Sequence, residues 1–336
     1  MNTFAKEHFD PKAEMALMYQ FMKNDPRPAE EKKRIREDMI RNLKDFDFTV
    51  KEYLRYRFDL LTPEQQHAFV SDREHLIICE RLNSVEANNL LEDKYLTYQR
   101  FGKYYKRELV YVTPDSAEAF CAFAEKHPQM IVKPNDDWGG NGVFAADLAD
   151  YSNAQAMGAT LLEKLPDGFL AEERLSNAGV LYDVHPSSLN TCRVSTIRLR
   201  EGKAKIIHPR VRIGLGGSVT DNISRGGYQG LIDVETGVVT RVCSDLGETV
   251  EVHPDTEVKM LGMQMPEWDT AKALVKELAA ELNTLHYCGW DIAYTDRGWV
   301  MIEGNGAGQF GFQFLEQKGC RAEFQSYLDD LWRFKW

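Results

Sequence analysis

Apolar positions in residues 1–90 recur at helical spacing among charges. Within residues 30–44, Ile35, Met39, Ile40 and Leu43 mark one face of a segment dense in Lys, Arg, Glu and Asp, and Pro26 and Pro28 punctuate the chain just before it. That pattern predicts a helix with a solvated charged face; an interaction surface is the other reading. Tyr53, Tyr56 and Phe58 read as packing, and His8, His67 and His75, without metal-ligand spacing, read as surface residues. From about residue 105 the period changes. Short β-like runs at 108–112, 130–133 and 169–175 alternate with helical segments such as 116–126, the pattern of an α/β or α+β domain. Residues 190–242 read as a β-meander with Gly-rich turns. Asp269 or Thr270 then caps a helix whose Ala271, Leu274, Leu278, Leu282 and Leu285 form one apolar stripe. A last hairpin and a C-terminal helix carrying Phe324, Tyr327, Leu328, Leu331 and Trp332 close the chain, and no internal repeat appears.

Composition narrows the class. At roughly 150 residues per domain, 336 residues suggest about two domains, or three small ones. With 43% hydrophobic and 28% charged residues, wholesale disorder is excluded. A net charge of -11 argues against a general nucleic-acid coat. No uninterrupted apolar run approaches the ~20 residues of a bilayer span, and the first residues lack an apolar signal core. The six cysteines are scattered without a C-x-x-C pair, which argues against a thiolate zinc site and fits reduced thiols in a cytoplasmic protein.

Four segments carry chemistry. In the first, two strand-like runs flank Asp296-Arg297-Gly298, read as a three-residue hairpin loop with Gly last. With Arg297 at its centre, Asp291 and Glu303 stand directly opposite, and Asn305 shares their face. Like charges across a ladder need neutralising. Two carboxylates and an amide oxygen are hard ligands suited to Mg²⁺; incidental acids on a solvent-facing hairpin are the alternative. The second segment is Met130-Ile131-Val132-Lys133-Pro134 with the Gly-rich stretch Asn135-Asp136-Asp137-Trp138-Gly139-Gly140-Asn141-Gly142 behind it. A strand delivers a lysine, and glycines let backbone amides approach phosphate; a plain Gly-rich turn gives the same letters. It is neither a Walker A nor a G-x-G-x-x-G pattern. The third, Phe169-Leu170-Ala171-Glu172-Glu173-Arg174-Leu175, is an apolar strand ending in acids, able to read an adenine or ribose edge, or simply any strand end. The fourth joins Asn190-Thr191-Cys192-Arg193 to Pro209-Arg210-Val211-Arg212 and to Asp221-Asn222 with Gly226-Gly227. Arginines in apolar strands need anionic partners, either a ligand or a buried acid. An ideal register about Gly202 puts Arg193 on the face opposite Arg210 and Arg212, so the three converge only if a bulge intervenes.

In this order the segments resemble the ATP-grasp superfamily, and most closely its sugar-transfer-associated family. The matching residues are Asp93-Lys94-Tyr95, Ile131-Val132-Lys133-Pro134, Ala171-Glu172-Glu173, Asn190-Thr191-Cys192-Arg193, Arg212-Ile213-Gly214, Asp221-Asn222 with Gly226-Gly227, and Asp291 through Glu303-Gly304-Asn305, covering roughly residues 90–320. The resemblance implies an α+β ATP-grasp fold, two subdomains sandwiching ATP, here at residues 91–185 and 186–336 behind a helical region at 1–90. It implies Lys94 and Lys133 on the ATP phosphates, and Gly139, Gly140 and Gly142 in a loop closing over them. Glu172, Glu173, Arg174 and Leu175 would hold adenine, and Asp291, Glu303 and Asn305 one or two Mg²⁺. Arg193, with Arg212 as a second catalytic arginine, would face the γ-phosphate or acyl phosphate. Asn190, Asp221, Asn222, Gly226 and Gly227 would meet substrate. The implied chemistry is ADP-releasing carboxylate–amine ligation through an acyl phosphate, on a sugar-linked carboxylate or an amino acid. A kinase acting on a hydroxyl and a non-turning-over ATP-binding module are the competing readings.

Overall fold

A computed structural model describes residues 10–136, 142–200, 202–223 and 226–332. Strands β1 (Leu109–Val112), β2 (Gln129–Lys133), β3 (Phe144–Asp147) and β4 (Phe169–Glu173) form a four-stranded sheet in the order β1-β4-β2-β3, antiparallel at every pairing. One of its faces is buried because Val112, Met130, Val132, Phe169 and Ala171 alternate inward, where they meet Phe120 and Phe123 from the helix Ala117–Lys126 and Met157 and Leu161 from the helix Ala154–Lys164.

Strands β5 (Thr191–Arg198), β6 (Ala204–Ile213), β7 (Tyr228–Ile232), β8 (Val239–Cys243), β9 (Tyr287–Thr295) and β10 (Gly298–Asn305) form a second antiparallel sheet, in the order β10-β9-β5-β6-β7-β8. The meander expected over 190–242 is β5 to β8. The first face of this sheet presents Cys192, Val194, Val211, Ile213, Cys288, Trp290 and Ile292 to the helix Trp268–Ala280, through Ala271, Val275 and Leu278. Its second face is roofed from both chain ends. Ile197 and Tyr287 pack with Ile78, Phe310 and Phe324, while Leu231 and Cys243 join Ile35, Met39, Phe58 and Phe314. The amphipathic segment expected at 30–44 is the helix Ala29–Asp45, which buries Ile35, Met39 and Leu43.

Four local expectations are corrected. The helix assigned a cap at Asp269 or Thr270 starts at Trp268, behind Glu267 at φ 44°, with no side-chain cap. Tertiary contacts fix this start: the Trp268 indole donates to the Val234 carbonyl at 2.9 Å and lies over Gly237, where a Cβ would come within 2.5 Å of the ring. The helix ends at Ala280, so Leu282 and Leu285 lie beyond it, although Leu285 is buried in the same core. The last hairpin turns on two residues, Asp296 and Arg297, with Thr295 opposite Gly298. His75 is buried, its ring against Phe310 and its Nε2 3.2 Å from the Ala307 carbonyl oxygen.

Candidate active site

Two β-bulges create the site. In the β9–β10 hairpin the two-residue turn pairs Met301 with Ile292, a register that would leave Asp291 and Glu303 out of step. An extra residue, Ile302, shifts the ladder, and Glu303 comes to lie opposite Asp291. In β6 an extra residue between Ile207 and Arg210 does the same. Ser195 pairs with Ile207, but Arg193 pairs with Arg210 and Thr191 with Arg212. His208 within the bulge takes φ 48° and is held by Glu316 Oε1 at 2.5 Å, Glu323 Oε2 at 3.1 Å and a stacked Phe312 ring at 3.7 Å. The bulge on which convergence of the arginines depends is therefore present. One row of directly paired residues crosses the second face of the sheet: Glu303, Asp291, Arg193, Arg210, Leu231.

Charge at Asp291 and Arg193 on this row is matched locally. Asp291 is fully buried and accepts from Arg193 Nε and Nη2 and from Arg212 Nη2, the last two at 2.8 and 2.7 Å. Burial opposes its ionisation, yet the two guanidiniums hold its carboxyl well below the usual range. Arg193 reaches Asp291 by crossing Gly289, where a Cβ would lie 2.8 Å from Arg193 Cδ. Arg212 also donates to Thr191 Oγ1 and stands 3.5 Å from Asp221. Asp221 Oδ2 in turn accepts from the Thr191 amide at 2.8 Å and its hydroxyl at 2.5 Å. Glu303 is different. It accepts from Asn305 Nδ2 at 3.0 Å, and Arg193 Nη2 stands off at 3.9 Å. Partial loss of hydration, then the Asp291 charge, push its pKa up, although 38% of the side chain stays exposed. Glu303 and Asn305 thus present oxygens open to a cation, the hard donor chemistry that suits a divalent ion. Both Asp291 oxygens are already taken up by arginine. Among the described residues no group of three or more His, Cys, Asp and Glu side chains is placed to hold a metal ion by itself.

The lysine half of the site lies on the four-stranded sheet. Lys133 ends β2 and pairs with Glu172 on β4, and both are buried. Arg107, just before β1, donates through Nε to Glu172 Oε2 at 3.0 Å, through Nη1 to the Met301 carbonyl at 2.6 Å and through Nη2 to the Ile302 carbonyl at 3.4 Å. One buried guanidinium therefore joins Glu172 to the bulge that sets Glu303. Burial alone would raise the Glu172 pKa; Arg107 and Lys133 bring it below its ordinary value. Arg297, on the hairpin turn, makes a second link between the sheets through Glu173 Oε2 at 3.0 Å and the Lys106 carbonyl at 2.6 Å. Lys94 opens the helix Lys94–Tyr105, capped by Asp93, and its Nζ donates to the Asn135 carbonyl at 3.1 Å, at the start of the Gly-rich stretch.

The sequence profile of the family described as sugar-transfer associated ATP-grasp matches residues 75–327. The chain belongs to that family. No curated protein sequence matches it. Among solved structures it is similar to D-alanyl-alanine synthetase A from Vibrio cholerae (15% identity, 75% of this chain and 68% of that one, TM-score 0.47). It is also similar to N5-carboxyaminoimidazole synthase from Aspergillus clavatus (12%, 78% and 58%, TM-score 0.42). A third similar structure is the ATP-grasp ligase PsnB in complex with a minimal precursor (15%, 74% and 64%, TM-score 0.44). The chain spans less than two thirds of the second and third of these.

Within this ATP-grasp chain, Arg193, Arg212, Asp291, Glu303 and Asn305 come together on one sheet, with Asp221 beside them on the loop after β6. Lys133 and the start of the Gly-rich stretch lie on the other, reached by Lys94 from a helix packed against β10. Gly139 and Gly140 lie outside the described residues; Gly142 is an exposed turn at φ 66°. Glu172, expected at adenine, has its carboxylate enclosed by Lys133 and Arg107, and Glu173 faces Arg297. Arg174 is exposed and Leu175 half-buried on the segment leaving β4. Asn190, expected at substrate, spends its amide inside the fold: Nδ2 donates to the Leu181 and His185 carbonyls, and Oδ1 accepts from Ser188 and Gly214. Asn222 is half-buried; Gly226 is exposed at φ 94°, and a Cβ on Gly227 would meet the Ile213 carbonyl oxygen at 2.6 Å. Arg107 escaped sequence reasoning because a single arginine before a strand carries no motif. Gln229, opposite Arg212, was equally silent.

Proposed function

We propose that this ATP-grasp chain is an ATP- and Mg²⁺-dependent carboxylate–amine ligase. The acid's carboxylate attacks the γ-phosphorus of ATP and ADP leaves. An amine then attacks the acyl carbon, forming the amide bond and releasing phosphate and a proton. The observation that carries the reading is the row Glu303–Asp291–Arg193–Arg210 on one sheet, tied through Arg107 to the buried Lys133–Glu172 pair on the other. ATP would lie between the two sheets, with the subdomains divided at residues 91–185 and 186–336 and residues 1–90 forming the helical region. Glu303 and Asn305 would hold Mg²⁺, with Asp291 behind them. The cation, when bound, neutralises phosphate charge and polarises the γ-phosphoryl group.

The chain's own residues do the rest by position and charge. Lys133, with its side chain 9% exposed, keeps a fixed cation at the end of β2 and, with Lys94, faces the phosphates; the Gly-rich stretch closes over them. The backbone of Glu173, Arg174 and Leu175 borders adenine while Glu172 orients Lys133. Arg193 and Arg212, oriented by Asp291, Thr191 and Asp221, support the charge that develops on the transferred phosphoryl oxygens. Asp221, Asn222, Gly226 and Gly227 border the acceptor. The family's description supports an acid linked to sugar transfer, in polysaccharide or amino-acid conjugate synthesis, and the charge and cysteine pattern support a cytoplasmic site of action.

The test is purified protein with Mg–ATP, a panel of amino acids and uronic acids, and hydroxylamine as surrogate amine. Acid-dependent ADP together with hydroxamate is the expected result. ADP with a stable phosphorylated acceptor and no hydroxamate overturns the ligase reading in favour of a kinase. Bound ATP without ADP release across the panel favours a binding module.

A further inference from the structure

On the charged row, one residue lacks its complement. Arg210 is 4% exposed, and among the described residues its guanidinium makes a single hydrogen bond, from Nη2 to the Gln309 carbonyl at 3.1 Å, with no hydrogen-bond partner at Nε or Nη1 and no acid paired with it. Its neighbours across the ladder are Arg193, committed to Asp291, and Leu231. A buried guanidinium without a counter-charge is costly and is held in place by the surrounding fold. Burial, then the Arg193 charge, lower its pKa to about 9. A second orphan stands diagonally on the next strand of the same face. Gln229 is 8% exposed, directly opposite Arg212, and its Oε1 accepts from none of the described residues. An unmade donor set and an unmade acceptor, adjacent and buried, are the negative image of a ligand.

We infer that Arg210 and Gln229 form the acceptor pocket for a small acid bearing an N–H or O–H donor beside its carboxylate, with the carboxylate on the Arg210 guanidinium and the donor on Gln229 Oε1. The ligand class follows from charge. Asp291 and Asp221 answer Arg193 and Arg212, and Glu303 awaits a cation, so one positive charge remains. That calls for a carboxylate monoanion, an amino acid or a hydroxy acid such as a uronate, and not for a phosphate dianion. Arg210 pairs directly with Arg193, which pairs with Asp291 and through it with Glu303, so the pocket lies about two strand spacings, roughly 10 Å, from Asp291 and about three, roughly 15 Å, from Glu303 of the cation site. This inference rests on the ligase reading for what the acid does, but not for whether it binds.

The experiment measures thermal midpoints of the full chain with alanine, glucuronate, propionate or alaninamide, for wild type, Arg210→Met and Gln229→Met. Alanine or glucuronate raises the wild-type midpoint by about 2 °C or more, propionate by less, and alaninamide not at all. Arg210→Met abolishes every shift and raises the midpoint without added probe, because it removes an uncompensated buried charge. Gln229→Met reduces the response to alanine and glucuronate to that of propionate, and carries the test should Arg210→Met misfold. Which of alanine and glucuronate shifts the midpoint more separates an amino acid from a sugar acid. Shifts that persist in Arg210→Met, or no shift with any probe, overturn the inference. Mg–ATP affinity is measured in parallel. Its loss in Arg210→Met alone places Arg210 in the nucleotide site and overturns the inference; its absence in wild type overturns the ligase reading, while the acid shifts still decide the pocket.

Discussion

Asp291→Asn isolates the electrostatic centre of the site. The carboxylate is fully buried and receives three guanidinium contacts, two from Arg193 and one from Arg212. The amide keeps the shape and removes one negative charge. Arg193 is then left with Glu303 at 3.9 Å, and Arg212 with Asp221 at 3.5 Å. Removing one partner of a buried ion pair costs ~3–5 kcal/mol. Because Glu303 and Asp221 take up part of the charge, a loss near the lower bound, about 3 kcal/mol, is expected. Urea unfolding at pH 7 of wild type, Asp291→Asn, Arg193→Met and the double variant reads this directly. Both single variants should lower the midpoint, and the double variant should be less destabilised than their sum by about 1–3 kcal/mol. Acidification supplies an internal check. A folded pKa held below the ordinary 3.8 contributes stability that is present above 3.8 and lost as pH falls further, so the gap between wild type and variant narrows in acid. A single variant within about 0.5 kcal/mol of wild type, or an additive cycle, would refute the assignment of Asp291 as counter-ion to the arginines.

Three further outcomes follow from the geometry. Gly289→Ala places a Cβ 2.8 Å from Arg193 Cδ, so Arg193 shifts away from Asp291 and about 1–3 kcal/mol is lost in urea unfolding. Unchanged stability there would show that Arg193 does not need to cross Gly289. Glu172→Gln strips the counter-charge from Lys133 and Arg107 together, with an expected cost of about 3 kcal/mol and weaker Mg–ATP binding by calorimetry; a stable variant with wild-type affinity would contradict the buried triad. Burial opposes protonation of His208, but Glu316 and Glu323 raise its pKa above 6.5. Its contribution is therefore complete below 6.5 and disappears as pH rises through the folded pKa. Thermal midpoints across that window should fall in wild type and level out in His208→Asn.

The site was legible wherever residue type and local period carry the information. That Asp291 and Glu303 face each other was read from hairpin symmetry, yet the turn holds two residues and the facing pair is restored only by the bulge at Ile302. The same holds for the arginines: an ideal ladder separates Arg193 from Arg210 and Arg212, and the extra residue beside His208 unites them. A bulge leaves little trace in sequence, since it depends on what the displaced residue meets, here a ring and two acids far along the chain. The helix Ala29–Asp45 followed from spacing alone, whereas the start at Trp268 depended on a carbonyl more than thirty residues away. Glu172 shows the opposite limit. Its type and position suggested a ligand contact, but Arg107, silent in sequence, turns it into an internal counter-ion.

The central claim is that this ATP-grasp chain activates a carboxylate by phosphorylating it, and heavy-oxygen transfer tests that step itself. The acid found active in the hydroxamate assay is labelled in both carboxylate oxygens and turned over with Mg–ATP and an amine, and phosphate is examined by phosphorus NMR. The account predicts one labelled oxygen in each phosphate released, left behind when the amine breaks the acyl–oxygen bond. Unlabelled phosphate, with the displaced heavy oxygen recovered elsewhere or both heavy oxygens still in unreacted acid, would contradict it.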